Sequence, residues 1–246
     1  MPKNILVFGA NSAIAHAVSR RFANQGARFV LVARDAAKLE ANAADLVVRG
    51  AAMVATRIAD LNALAGHLLL VSEGITELGH VDIVLIAHGI LPDQQRCEED
   101  MLELRNAIDT NLLSVVSLAM ITARELERQG QGTLVVLGSV AGDRGRRSNY
   151  VYGAAKAGVD VFLQGLRARL DSRGVHVLTV KPGFVATPMT AQFTKGPLWA
   201  TPDRVAGAIC RAIEQSRRVI YVPWFWRPIM FVVRALPDFV ITRLGM

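Results

Sequence analysis

Short, unbroken apolar runs alternate with stretches of helical periodicity along almost the whole chain. Residues 5–8, 28–32, 52–58, 81–87, 133–137, 175–180 and 219–222 are dominated by aliphatic side chains with few polar interruptions. A strand that is apolar at nearly every position is buried on both faces, so these runs predict strands inside a covered sheet. Between them, apolar positions recur every three to four residues, as on one face of a helix. That spacing predicts helices over 12–25 and 35–48, from Asp60 onward, over a long stretch ending near Gln129, over 150–172, and from Thr201 onward. Punctuation fits the same division. Asp35 reads as an N-cap, Gly50 and Gly174 as stops, Gly130-Gln131-Gly132 as a break, and Thr201-Pro202-Asp203 as a helix start. Regular β–α alternation implies a parallel sheet with helices on both faces, and right-handed crossovers make it doubly wound. The expected fold is α/β, one domain over 1–246 with about seven strands.

Ligands of such a sheet bind beyond the carboxyl ends of its strands. The first run ends in Gly9-Ala10-Asn11-Ser12-Ala13-Ile14-Ala15 and a helix follows at once. A strand, a glycine turn and a helix N-terminus make an anion site, to which Asn11 and Ser12 can add side-chain donors. The GxGxxG fingerprint is absent, and any strand-to-helix turn can carry a glycine. The second run ends in Ala33-Arg34, where an acid would grip a ribose 2′-hydroxyl. A cation there suits a 2′-phosphate and hence NADP(H); the plainer reading is an exposed helix-start residue. Asp60, after the third run, is either an acceptor for an adenine amino group or a helix cap. The fifth run ends at Ser139, and Tyr152 and Lys156 follow at i,i+4 spacing on one helix face. An ammonium beside a phenol stabilises the phenolate, which makes the phenol usable as an acid/base for a carbonyl/alcohol pair. Ser139 would bond the same substrate oxygen. Tyr150 has Ala154 at the matching position and lacks such a partner.

Together, Gly9 to Ala15, Asp60, Asn111, Ser139, Tyr152-x3-Lys156 and Pro182-Gly183 resemble the short-chain dehydrogenase/reductase family from end to end. The resemblance implies a seven-stranded Rossmann sheet and a pyridine nucleotide. It implies Tyr152 as acid/base, and Lys156 as binder of the nicotinamide ribose that depresses the tyrosine pKa. Ser139 would orient the substrate, and Asn111 would hold a water relaying protons through Lys156. Gly9, Asn11, Ser12, Ala13, Ile14, Arg34, Asp60 and Ala87 would line the nucleotide, with Pro182, Gly183 and Thr187 beside the nicotinamide and its phosphate. Two departures stand out. Ala13 and Ala15 replace two glycines of the family turn and crowd the pyrophosphate. Ile86-Ala87-His88-Gly89 replaces an Asn-Asn-Ala-Gly segment, so His88 is expected to take over the lost asparagine's bracing of the sheet. A less specific similarity, carried by the glycine turn, Ala87-His88-Gly89 and the tail, is to polyprenyl-phosphate keto-pentose reductases.

Composition narrows the alternatives. Of 246 residues 52% are hydrophobic and 20% charged, which excludes a disordered chain. Cys97 and Cys210 stand alone, the five histidines form no metal spacing, and no metal site is expected. A cytoplasmic location is the expectation, with peripheral membrane association as an option. The net charge of +7 invites a nucleic-acid reading, but the basic residues are scattered and no nucleic-acid partner is expected. Arg144, Arg146 and Arg147 lie between Ser139 and Tyr152, where they could grip a phosphate; a solvated loop or subunit contact is the other reading. The tail, 221–246, holds two of the three tryptophans beside arginines, which suits either a membrane-surface segment or a cap over the pocket. Surplus apolar residues over 111–124 and 151–170, with the family resemblance, imply a homodimer or homotetramer. The reading is an NADP(H)-dependent oxidoreductase acting on a small-molecule or lipid-linked carbonyl/alcohol substrate. Its rival is a non-catalytic NADP-binding scaffold or sensor, which has no need of Asn111, Ser139, Tyr152 and Lys156 together.

Overall fold

A computed structural model describes residues 2–243. Along the chain come β1 (Asn4–Phe8), α1 (Ala13–Ala23), β2 (Arg28–Ala33), α2 (Ala36–Val48), β3 (Met53–Ile58), α3 (His67–Leu78), β4 (Ile83–Ile86), α4 (Gln94–Glu99), α5 (Met101–Ile108) and α6 (Ser114–Gln129). Then follow β5 (Gly132–Leu137), α7 (Tyr150–Leu170), β6 (Val175–Pro182), α8 (Pro202–Glu214), β7 (Val219–Val222), α9 (Trp226–Ala235) and α10 (Asp238–Arg243). The strands form one sheet in the order β3-β2-β1-β4-β5-β6-β7, every neighbouring pair parallel. This is the doubly wound sheet the apolar pattern predicts. The order reverses between β1 and β4, and that reversal opens a crevice at their carboxyl ends.

Successive residues of a strand point to opposite faces, and both faces are covered. Ile5 and Val7 face Ile14, Val18 and Phe22 of α1 and Val205 and Ile209 of α8. Leu6 and Phe8 face Val71 of α3, Leu118 of α6 and Leu163 of α7. Two buried layers explain why the strands read as continuous rather than alternating apolar runs.

Several boundaries differ from the sequence expectation. β4 is confined to Ile83–Ile86 and α1 to Ala13–Ala23. Asp60 does not open a helix: its carboxylate accepts the Asn62 N–H at 3.0 Å, closing an Asx turn, and α3 starts only at His67 after a 3₁₀ turn over Leu64–Gly66. The long helix before Gln129 is broken. Asp93 and Asp100 cap α4 and α5, and a π-helical turn over Asp109–Leu113 separates α5 from α6. The run Met101–Gln129 has the length and composition of a membrane span, yet Val115, Leu118, Ala119 and Leu126 are packed in the core. Finally, α7 ends at Leu170, short of residue 172. Leu113, Met120 and Val161 remain exposed on the outer surface of the α6–α7 layer. The tail forms α9 and α10, and its last residues, 244–246, lie outside the described residues.

Candidate active site

The β1–α1 turn is shaped by a glycine that nothing else can replace. Gly9 has φ +79°, and a Cβ there would lie 2.5 Å from the His88 backbone nitrogen. The turn runs between β2 and β4, with the Gly9 and Ala10 N–H groups donating to the Val32 carbonyl. Ser12 caps α1 by accepting the Ala15 N–H at 3.5 Å, so its oxygen serves the helix. Asn11 is equally committed: its amide donates to the Asp35 carbonyl (2.9 Å) and accepts from Asn42 (3.1 Å). Asn42 also reaches the Ala10 carbonyl at 3.3 Å. Asp35 caps α2 through the Lys38 N–H, as its position predicts. Arg34 and Lys38 stand exposed where the cavity passes the end of β2.

One cavity of about 940 Å³ runs from this turn across the ends of β4, β5 and β6. It is lined by every site residue expected from sequence: Gly9, Asn11, Ser12, Ala13, Ile14, Arg34, Asp60, Ala87, Asn111, Ser139, Tyr152, Lys156, Pro182, Gly183 and Thr187. Ser139 follows β5 and accepts the Ala141 N–H at 3.1 Å, which fixes the start of a 3₁₀ turn over Val140–Asp143. Tyr152 and Lys156 come from the first turns of α7, with the ammonium 5.8 Å from the phenol ring centre. Lys156 is buried and donates to the Leu137 carbonyl at 3.1 Å. Burial pulls its pKa down to about 8. Burial pushes the Tyr152 phenol up, opposed by its hydrogen bond with Ser139. In the protein by itself burial dominates at Tyr152, and the Lys156 ammonium is turned to the Leu137 carbonyl. A phenol held in this way is protonated at neutral pH.

Asn111 sits on the π-helical turn, fully buried. Its amide accepts the Ile90 N–H at 3.0 Å and donates to the Ala107 carbonyl at 3.0 Å. A methyl on Gly89 would lie 2.8 Å from Asn111 Oδ1 and 3.6 Å from Lys156 Nζ, so the two groups share one corner. His88 braces the end of β4 against α6 through a 2.8 Å bond between Nε2 and the Ser114 hydroxyl. Ser114 donates its own proton to the Leu61 carbonyl, so the histidine must donate, leaving Nδ1 bare and without a partner among the described residues. Burial, with Lys156 and His67 nearby, lowers the His88 pKa to about 3, and the ring is neutral.

The model of the short chain dehydrogenase family matches residues 3–197. The chain belongs to that family. An uncharacterized oxidoreductase of Mycobacterium tuberculosis is 43% identical over 240 residues, covering 98% of this chain and 96% of its own. One from Streptomyces coelicolor is 39% identical over 245 residues, covering 99% and 96%. Among solved structures, levodione reductase superposes with TM-score 0.82 at 22% identity over 90% of this chain and 96% of its own. A variant of actinorhodin polyketide ketoreductase, solved with NADPH, gives 0.77 at 23% over 86% and 90%. These last two likenesses are of fold.

Short-chain dehydrogenases use NAD(P), and the residues present fit such a group. The Gly9 cradle has no room for a side chain, the α1 N-terminus opens on it, and Arg34 and Lys38 line the cavity after β2 while Asp35 between them is spent on capping α2. Beyond Tyr152 the cavity changes character. Phe184, Met189, Phe193 and Trp199 form an apolar wall, with Phe184 stacked on Trp199 at 5.4 Å. Gly183 is forced by close approach, since a Cβ there would meet Trp226 Nε1 at 1.9 Å. Trp226 and Met230 of α9 pack onto Val140, behind the Ser139 turn. Arg144 pairs with Asp238 and donates to the Leu236 carbonyl, tying the same turn to the tail. The tail is thus a support on its inner side, while Trp224 and Phe231 are 74% and 76% exposed.

Several contributing residues escape the sequence pattern. Lys181, one residue before Pro182, is buried and bonds Asp143 (2.6 Å) and Asp160 (2.8 Å). Tyr221 donates to the second Asp143 oxygen at 2.7 Å. This network joins the Ser139 turn, α7, β6 and β7. A lysine inside an apolar strand is the signal that could reveal it, because a buried cation demands a carboxylate. Lys38 and Asn42 carry no signal beyond their helical register.

Proposed function

We propose that the protein is an NADP(H)-dependent carbonyl reductase in which Tyr152 is the proton donor. The observation that carries this reading is the Tyr152 phenol beside Ser139, one helical turn from buried Lys156, in a cavity continuous with the Gly9 turn. Bound in that cavity, the nicotinamide supplies the hydride that a carbonyl carbon accepts. Ser139 and Tyr152 hold the carbonyl oxygen by hydrogen bonds, and the Tyr152 proton passes to it as the alcohol forms. The tyrosinate left behind is stabilised by the Lys156 ammonium and regains its proton on the Asn111 side, where the Lys156 and Asn111 polar atoms converge. Arg34, with Lys38, grips the 2′-phosphate. The apolar wall beyond Tyr152 suits a bulky substrate, lipid-linked ones included. The names of the relatives and of the NADPH-bound ketoreductase favour the same chemistry.

Two partner readings belong to the same proposal. Exposed Leu113, Met120 and Val161 suit a second copy of the chain, forming a dimer or tetramer. Exposed Trp224 and Phe231, flanked by Arg227 and Arg234, suit a peripheral contact with an anionic membrane surface. Tyr152→Phe tests the central reading. It should retain NADPH affinity and lose at least about two orders of magnitude in turnover of a ketone. Undiminished turnover removes Tyr152 from the mechanism.

A further inference from the structure

The three arginines between Ser139 and Tyr152 have different fates. Arg144 is held by Asp238 and the Leu236 carbonyl, and Arg147 is exposed; of the three, Arg146 alone lines the main cavity. Its Nε is buried without a hydrogen-bond partner among the described residues, and no carboxylate among them lies within ion-pair distance of it. One terminal nitrogen meets the Met230 sulfur at 3.6 Å, a weak acceptor. Asp143 is near enough to be felt, but both its oxygens are taken, by Lys181 and Tyr221. Asn149, also lining the cavity, has its Oδ1 buried without a partner among the described residues.

Arg146 is half-buried; a guanidinium keeps its charge, and drawing even its Nε out of water without an anion has a cost. Lys181, which is buried, by contrast has two carboxylate partners. We propose that Arg146 is a substrate-recognition residue that receives a carboxylate carried by the carbonyl substrate, so that the enzyme reduces keto acids with an apolar body. The inference rests on the reductase reading. A planar fork matches one carboxylate bidentately. A phosphate dianion would call for a second cation, and Arg144 and Arg147 turn away. The apolar wall of Phe184, Met189 and Trp199 takes the remainder of the molecule.

The test uses 4-acetylbenzoate, its methyl ester and 4-acetylphenyl phosphate with NADPH-saturated protein, reading binding by calorimetry and turnover by NADPH oxidation. The acid should bind at least tenfold more tightly than the ester, and that preference should shrink with added salt. Arg146→Gln should bring acid and ester to parity, whereas Arg146→Lys should keep a reduced preference. Equal binding of acid and ester by the parent, survival of the preference in Arg146→Gln, or no binding of any probe at millimolar concentration overturns the subsite. Tighter binding of the phosphate than of the acid overturns the carboxylate assignment, and loss of NADPH affinity in Arg146→Gln moves the residue to the nucleotide. If Arg146→Gln does not fold, the parent's preference and Arg146→Lys decide: an unchanged preference in that variant counts against bidentate contact. Acid-selective binding without turnover of any ketone would leave the subsite standing and sink the reductase reading; ketone turnover without selectivity would do the reverse.

Discussion

Around Gly9 the polar side chains of the cavity wall are tied to one another, whereas around Arg146 they are left open. Asn11, Ser12, Asp35 and Asn42 bond to the turn and to the caps of two helices. On the far side Arg146 Nε and Asn149 Oδ1 have no partner among the described residues, and the wall is Phe184, Met189 and Phe193, each more than two-fifths exposed. The first half presents backbone N–H groups in a shape its own side chains enforce, which suits one constant ligand. The second presents unspent charge and apolar surface, which suits a ligand that must complete the site. The proposed catalytic residues sit at the seam, on rigid elements: the end of β5, the start of α7 and the π-helical turn.

The largest expected effect comes from the support shared by both halves. Lys181→Met leaves the buried Asp143 carboxylate without its cation, with only the Tyr221 hydroxyl bonded to it, and should cost about 3–5 kcal/mol of stability. Thermal unfolding would read this as a fall of about 10 °C. Burial acts to lower the Lys181 pKa, but Asp143 and Asp160 outweigh it and raise it. A base whose folded pKa is raised contributes stability below its unfolded pKa and loses it as pH climbs through the folded value. The difference between parent and variant should therefore persist at neutral pH and narrow only above the ordinary lysine range. A variant as stable as the parent would show the network to be dispensable.

On the nucleotide side, Arg34→Ala should reduce the preference for NADPH over NADH by about ten- to a hundredfold, the worth of a charge-assisted contact. Lys38→Ala should reduce it less. Equal affinities in the parent would remove both residues from the 2′-phosphate. At the seam, Lys156 loses its proton near pH 8. NADPH affinity should then be steady below that value and fall roughly three- to tenfold by pH 9, as an attractive charge is lost. A flat profile, measured by fluorescence titration, would mean that Lys156 stays charged or stands apart from the nucleotide. The smallest effect belongs to the tail. Arg234→Gln should weaken sedimentation with anionic vesicles about fivefold, near 1 kcal/mol per basic residue. Absence of sedimentation by the parent would leave α9 as a support alone.

What is legible in the sequence follows periodicity and local spacing. The strands stand out because both faces are buried, and Tyr152 and Lys156 because i,i+4 spacing fixes a shared helix face. Asp60 misleads, because a cap and an Asx turn begin with the same residue, and only the chain beyond decides between them. The π-helical turn at Asn111 is invisible: it is an insertion in a ladder, set by what Asn111 bonds across space. Lys156 is expected to lower the tyrosine pKa, but that outcome depends on burial and on Leu137, neither of which spacing encodes. Arg144, Arg146 and Arg147 look alike in sequence, and only packing against the tail separates them.

The most direct measurement follows a label through the reaction. The protein would be supplied with NADPH carrying two deuterium atoms at the nicotinamide C4 position and an aryl ketone, and the labelled alcohol quantified over time by mass spectrometry. Alcohol deuterated on the carbinol carbon should accumulate with the parent enzyme and form at least about two orders of magnitude more slowly with Tyr152→Phe at equal nucleotide saturation. An unlabelled alcohol, or labelled alcohol formed at the same rate by parent and variant, would contradict the account.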